Sequence, residues 1–236
     1  MRGSQSPLRA AGTSAETDPR AGIVKSLSRA IHEDDPFPHL RLRHLLTAPI
    51  MDGLIALPFT PTALDGGSGR RELHNDQRIY FTPAVIDAHP AAARVARLFQ
   101  DAEVVAALAE AAEAPLHKVR LRIEYALDID GFWLEPHTDL GVKALSLLIP
   151  LPVGRRQVDL GTDLYRAPGI WARRAAFARG AALAFRPSDR SWHGFEPRPI
   201  RGVRRSLIVN YVTPAWRSRE QLAYPDQPVG GSGRGD

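Results

Sequence analysis

Apolar positions change their spacing near residue 118. Before it they recur every three or four residues, the period of helices with one buried face; after it they fall in short runs bounded by Gly, Pro and Asp, which is the pattern of strands. Ile23, Leu27 and Ile31 predict an amphipathic helix over 22–33, and the stretch from Met51 to Ala56, after Pro49, predicts a second, short one. Two more are predicted over 82–99 and 101–112, the latter with Asp101 as its cap and Val104, Leu108 and Ala111 on one face. Residues 63–71, with Asp65, Gly66, Gly67 and Gly69, read as a loop.

Six strands are predicted over 119–125, 144–151, 162–166, 181–186, 192–196 and 205–212. Helices first and strands second make the class α+β, with a helical part over 21–117 buttressing a sandwich or barrel over 118–215. Residues 1–20 and 225–236 are polar, rich in Gly and Ser and without periodicity, and are expected to be disordered tails around a single domain over 21–224. At 236 residues, 44% hydrophobic and 24% charged, the composition is that of a globular protein with one core. No run reaches the roughly 18 apolar residues that span a bilayer. The N-terminus lacks the apolar stretch of a secretory signal, so no membrane partner and a cytoplasmic location are expected.

Charge and cysteine content narrow the chemistry. With no cysteine, disulfides, thiolate ligands and cysteine nucleophiles are excluded, and a metal site has to be built from His and carboxylate. The net charge of +5 comes from arginines scattered in pairs (Arg70 with Arg71, Arg155 with Arg156, Arg173 with Arg174), not from a basic stripe interleaved with aromatics. Nucleic acid is therefore not the expected partner; a positive field suits anionic small molecules.

Two short clusters supply such a metal site. In Glu135-Pro136-His137-Thr138-Asp139 the i, i+2 spacing puts His137 and Asp139 on one side of an extended segment, and Ser191-Trp192-His193-Gly194 brings a second imidazole from a distant strand. Two imidazoles and one carboxylate form the facial triad that holds Fe(II) with open positions. An H-x-D or a lone His is unspecific by itself; the ordered set is not. His32, His39, His44, His89 and His117 read as surface or packing residues, and His74 stays open. A zinc hydrolase would need an adjacent general base that this segment does not offer. Further on, alternation places Arg204, Ser206, Ile208 and Asn210 on one face and Arg205, Leu207, Val209 and Tyr211 on the other, so Arg204 and Ser206 point inward. A buried guanidinium needs an anion, either a free dicarboxylate or an internal Asp or Glu. Tyr125 is a candidate second ligand for that anion or a core residue, and Lys143 is a third candidate cation that reads rather as solvated.

The order H-x-D, distal His, R-x-S across 118–215 resembles the Fe(II)/2-oxoglutarate dioxygenase superfamily, in the style of its small prolyl-hydroxylase-like members. The resemblance implies a double-stranded β-helix (a cupin-like jelly roll) with N-terminal helices against one sheet. It implies Fe(II) on His137, Asp139 and His193, 2-oxoglutarate as cosubstrate with its distal carboxylate on Arg204 and Ser206 and in reach of Tyr125, and O2 as oxidant. The implied reaction is hydroxylation, or another oxidation, of a C–H bond in a small molecule, releasing succinate and CO2 and needing no protein acid or base. A protein or peptide side-chain hydroxylase and a non-catalytic jelly-roll binding or sensing module are the alternatives. Asp139, where a Gly or Ala would leave room for halide, favours oxidation over halogenation. Substrate contacts are expected from 72–80, 132–135, 153–160 and 166–179, with 65–80 as a lid over the metal.

Overall fold

The computed structural model describes residues 18–64, 69, 78–139 and 141–230. Among them are five α-helices: α1 Pro19–Leu27, α2 Ala48–Ile55, α3 Pro83–Ala88, α4 Pro90–Gln100 and α5 Ala102–Ala111. The strands in the helical half are β1 Ile31–Glu33, β2 His39–Leu42 and β3 Ile79–Tyr80. The remaining eight are β4 Arg120–Asp128, β5 Leu134–His137, β6 Lys143–Pro150, β7 Asp163–Ala167, β8 Ile170–Arg174, β9 Ala182–Phe185, β10 His193–Phe195 and β11 Arg204–Val212.

From β4 onward the chain passes back and forth between two antiparallel sheets. One has the order β1-β2-β9-β6-β11-β4-β3 and the other β5-β10-β7-β8. This is the predicted jelly roll, and the exchange of strands between sheets brings residues far apart in sequence to one mouth. Its spine is the nine-residue pair β4 and β11, in register from Arg204 opposite Asp128 to Val212 opposite Arg120. Alternation divides this pair into two faces. Leu121, Ile123, Tyr125, Leu207, Val209 and Tyr211 go outward into the main core with Leu54, Phe99 and Leu108 of the helices. Arg122, Glu124, Asp128, Arg204, Ser206 and Asn210 go inward, also buried. Each large apolar side chain on the outer face is worth about 1.5–3 kcal/mol of transfer free energy, which is what fixes the helices to the sheet.

Several boundaries differ from the sequence expectation. The helix predicted over 22–33 ends at Leu27, and Ile31 opens β1, which pairs with β2. The helix predicted over 82–99 is two helices, because Pro90 forces His89 into an extended conformation (φ −130°, ψ 103°). Asp101 caps α5 as predicted, its carboxylate accepting the N–H groups of Glu103 and Val104. The recognition loop expected over 166–179 contains β8 instead: Ala167 pairs with Ile170 across Pro168-Gly169, and Gly169 at φ +75° supplies the left-handed residue of a tight hairpin. The tail expected from 225 is packed as far as residue 230. Leu222 bridges to Arg122, the Ala223 N–H donates to the Leu121 carbonyl, the Val229 N–H donates to the Val119 carbonyl, and the Val229 side chain is buried. No helix among the described residues is long and apolar enough to cross a membrane.

Candidate metal centre and anion pocket

β5 and β10 are neighbours, with His137 directly opposite His193. Their closeness depends on Gly194: a Cβ there would lie 2.6 Å from the Leu134 carbonyl oxygen, so a larger residue would push β10 away from β5. The imidazole centroids are 4.4 Å apart, and one ligand atom each from His137, Asp139 and His193 lies within 4.8 Å of the others. Both imidazoles are held in the same way, Nδ1 of His137 2.9 Å from the Glu135 carbonyl and Nδ1 of His193 2.9 Å from the Ser191 carbonyl. A carbonyl can only accept, so Nδ1 carries the proton and Nε2 keeps a lone pair for a metal. Two neutral nitrogen donors and a carboxylate fit a divalent first-row cation of the iron type.

Asp139 is anchored on both oxygens. Lys143 Nζ donates to Oδ1 at 2.7 Å, and Ser146 Oγ is 2.9 Å from Oδ2. Lys143 was expected in solvent but is buried, only 5% exposed. The cause is local. β6 pairs Leu145 with Tyr211 and then Lys143 with Val212, skipping Ala144, and this bulge turns Lys143 onto the inner face, off the simple alternation. Ser146 continues the contacts to Asn210 Oδ1 at 2.9 Å; Asn210 Nδ2 donates to Glu124 at 3.2 Å, and Glu124 pairs with Arg122. Arg122 itself lies between the rings of Tyr80 and Trp216, 4.7 Å from each centroid. Asp139, the carboxylate of the candidate triad, therefore belongs to a buried polar chain running across the inner face.

A cavity of about 300 Å³ between the sheets is lined by all three ligands and by Arg204, Ser206, Arg78 and Lys143. Arg204 has an internal partner: it pairs with Asp128 and donates from Nε to the Leu160 carbonyl at 2.7 Å. Arg78 donates to the same Asp128 at 2.7 Å, so two guanidiniums share one carboxylate. Burial pulls the Arg204 pKa below its usual value; Asp128 opposes this, while Arg78 and Arg198 add to it. Burial opposes the Arg78 charge too, but Asp128 and Glu124 outweigh it and the net shift is upward. Among the described residues the pair is short of one negative charge. An anion placed there relieves the deficit.

Tyr125 is not part of this pocket. Its parity is that of the outer face, and its hydroxyl donates to the Leu54 carbonyl at 2.9 Å. Burial pushes its pKa up, with Arg205 acting in the opposite direction. His39, expected as a packing residue, is buried and lines the cavity. Of the stretch expected as a lid, residues 65–68 and 70–77, including Glu72, His74 and Asn75, lie outside the described residues. Arg78 lines the cavity, and the Gly69 carbonyl accepts the N–H of Glu135 at 2.8 Å, two residues from His137. Arg78, from the stretch expected as a lid, and Lys143, expected in solvent, thus both line the cavity.

No protein-family model matches the chain, and no curated protein sequence matches it. Solved structures do. A prolyl-4-hydroxylase from Pseudomonas putida superposes with a TM-score of 0.56 at 18% identity, over 82% of this chain and 98% of that one. A prolyl hydroxylase from Trichoplax adhaerens, in complex with a fragment of the hypoxia inducible factor oxygen degradation domain, gives 0.52 at 12% identity, over 82% and 88%. HygX from Streptomyces hygroscopicus, with nickel and 2-oxoglutarate bound, gives 0.51 at 14% identity, again over 82% and 88%. At these identities it is the fold that is shared.

Proposed function

We propose that the chain is an Fe(II)- and 2-oxoglutarate-dependent oxygenase that oxidises a C–H bond of a small molecule and releases succinate and CO2. The observation that carries this reading is the convergence of His137, Asp139 and His193 within 4.8 Å, on the wall of a cavity that also holds the undercompensated pair Arg204 and Arg78. When bound, the iron with its cosubstrate supplies the oxidising power for C–H cleavage. The protein's own work is to hold and orient. His137 and His193 present Nε2 because backbone carbonyls fix Nδ1–H, and Asp139 is aimed by Lys143 and Ser146. Arg204, with Ser206 beside it, receives the distal carboxylate; Arg78 keeps Asp128 compensated as Arg204 turns to the cosubstrate. The guanidinium fork suits a carboxylate, with two parallel hydrogen bonds.

A cavity of about 300 Å³ suits a small organic molecule better than a peptide. The test is stoichiometry under air with Fe(II) and 2-oxoglutarate: succinate release matched by dioxygen uptake, both absent in Asp139→Ala. Metal binding without any 2-oxoglutarate turnover would leave a binding module, and turnover retained in Asp139→Ala would remove the assignment.

A further inference from the structure

The other end of the same cavity is also cationic, and the cosubstrate reading does not use it. Antiparallel register puts His137 opposite His193, His193 opposite Leu164, and Leu164 opposite Arg173. Directly opposed residues leave a sheet on the same face, so Arg173 points inward as the two histidines do, two strands from His193 (about 9–10 Å) and three from His137 (about 14–15 Å) at about 4.7–4.9 Å per strand. From the facing sheet, Arg41 on β2 and Arg43 just beyond it also line the cavity. Leu148, Leu164 and Leu183 line the same cavity from the two facing sheets.

The charges at this end are only partly met. Arg41 and Arg173 share one carboxylate, Glu33, with Arg173 also 3.8 Å from Asp35, and neither acid lines the cavity. Arg43 makes no ion pair among the described residues. We propose that this end is the anion subsite of the substrate. The oxidised compound carries an oxyanion, carboxylate or phosphate, held by Arg43 and Arg173; its carbon skeleton lies over Leu164 and Leu183, and its reacting carbon reaches His137 and His193. A guanidinium holds either oxyanion through two parallel hydrogen bonds, and an under-neutralised cation in a partly desolvated cleft gains most from such a partner. The subsite is assigned to substrate because of the functional reading above, which gives Arg204 to the cosubstrate.

The experiment titrates inorganic phosphate, and separately acetate, into Mn(II)-loaded protein saturated with 2-oxoglutarate, by calorimetry at low ionic strength. Wild type, Arg43→Gln, Arg173→Gln and the remote surface control Arg97→Gln are compared, and 2-oxoglutarate affinity is measured on each. Saturable binding of one anion, weakened at least tenfold by Arg43→Gln and Arg173→Gln but not by Arg97→Gln, with 2-oxoglutarate affinity unchanged, is the expected result. The stronger of the two anions tells phosphate from carboxylate. Arg173 also ties the sheets through Glu33, so if that variant fails to fold, Arg43→Gln decides alone. Absence of saturable binding, binding insensitive to Arg43→Gln, or competition between phosphate and 2-oxoglutarate overturns the subsite. Failure of the wild-type protein to bind Mn(II) or 2-oxoglutarate overturns the oxygenase reading instead, and phosphate binding lost in Arg43→Gln would still be read on that protein.

Discussion

The two faces of the β4 and β11 pair share a backbone and differ in nearly everything else. On the outer face tyrosines behave as core residues: the Tyr125 hydroxyl donates to the Leu54 carbonyl and the Tyr211 hydroxyl to the Phe99 carbonyl at 2.7 Å, and burial raises both pKa values. On the inner face, Arg204 and Arg122 are buried too, yet both meet carboxylates, and Arg204 lines the cavity. The hydroxyls of Tyr125 and Tyr211 are used up within the fold, whereas among the described residues the two inner-face cations at Asp128 outnumber their acid. Stability and chemistry thus sit on opposite sides of one sheet, and single substitutions can separate them.

The sharpest separation is expected from His193→Ala. It removes one of the two nitrogen donors, so iron content after anaerobic loading and succinate release should both fall to background, while the circular dichroism spectrum stays that of wild type. Next comes the opposite face. Leu207 is fully buried, and Leu207→Ala should cost about 2–5 kcal/mol in denaturant unfolding while the Michaelis constant for 2-oxoglutarate stays as it was. A shift in that constant would mean that the faces are mechanically coupled. Arg204→Gln reverses the pattern. Removing one partner of a buried ion pair costs about 3–5 kcal/mol, but Asp128 keeps Arg78, so a rise of about a hundredfold in the 2-oxoglutarate Michaelis constant (~2.7 kcal/mol) is expected, and Arg205→Gln should leave it alone. If Arg205→Gln had the larger effect, the two faces would be exchanged. Tyr125→Phe is the mildest, about 1 kcal/mol of stability for one buried hydrogen bond and no change in cosubstrate kinetics.

Tyr125 also shows where sequence reading succeeds and fails. The parity of β4 is legible: Leu121, Ile123 and Tyr125 alternate with Arg122, Glu124 and Asp128, so Tyr125 shares its side with apolar residues, and position near the ligand segment was a poorer guide than this alternation. The convergence of His137, Asp139 and His193 was legible because i, i+2 on an extended segment is local geometry, and the distal His needs only a neighbouring strand. Lys143 was not, since a bulge of one residue reverses its face and leaves no mark in the alternation. Nor was the pairing of Arg204 with Asp128, which depends on the register between strands 76 residues apart. β1 and β2 were hidden for another reason: strands of three or four residues are too short to show any period.

The segment after β11 has a role beyond the polar chain it supports through Trp216. β4 has β11 on one side, but on the other β3 reaches only Glu124 and Tyr125. The Phe81 N–H donates to the Ile123 carbonyl, and from Arg122 back to Val119 the border is covered by the C-terminal segment, through Leu222 beside Arg122, Ala223 on Leu121 and Val229 on Val119. A bare strand border with free carbonyls and an apolar flank is a template for another copy of the chain. Clipping the protein after Thr213 is therefore a route to self-association, in which chains join border to border before any loss of chemistry is noticed.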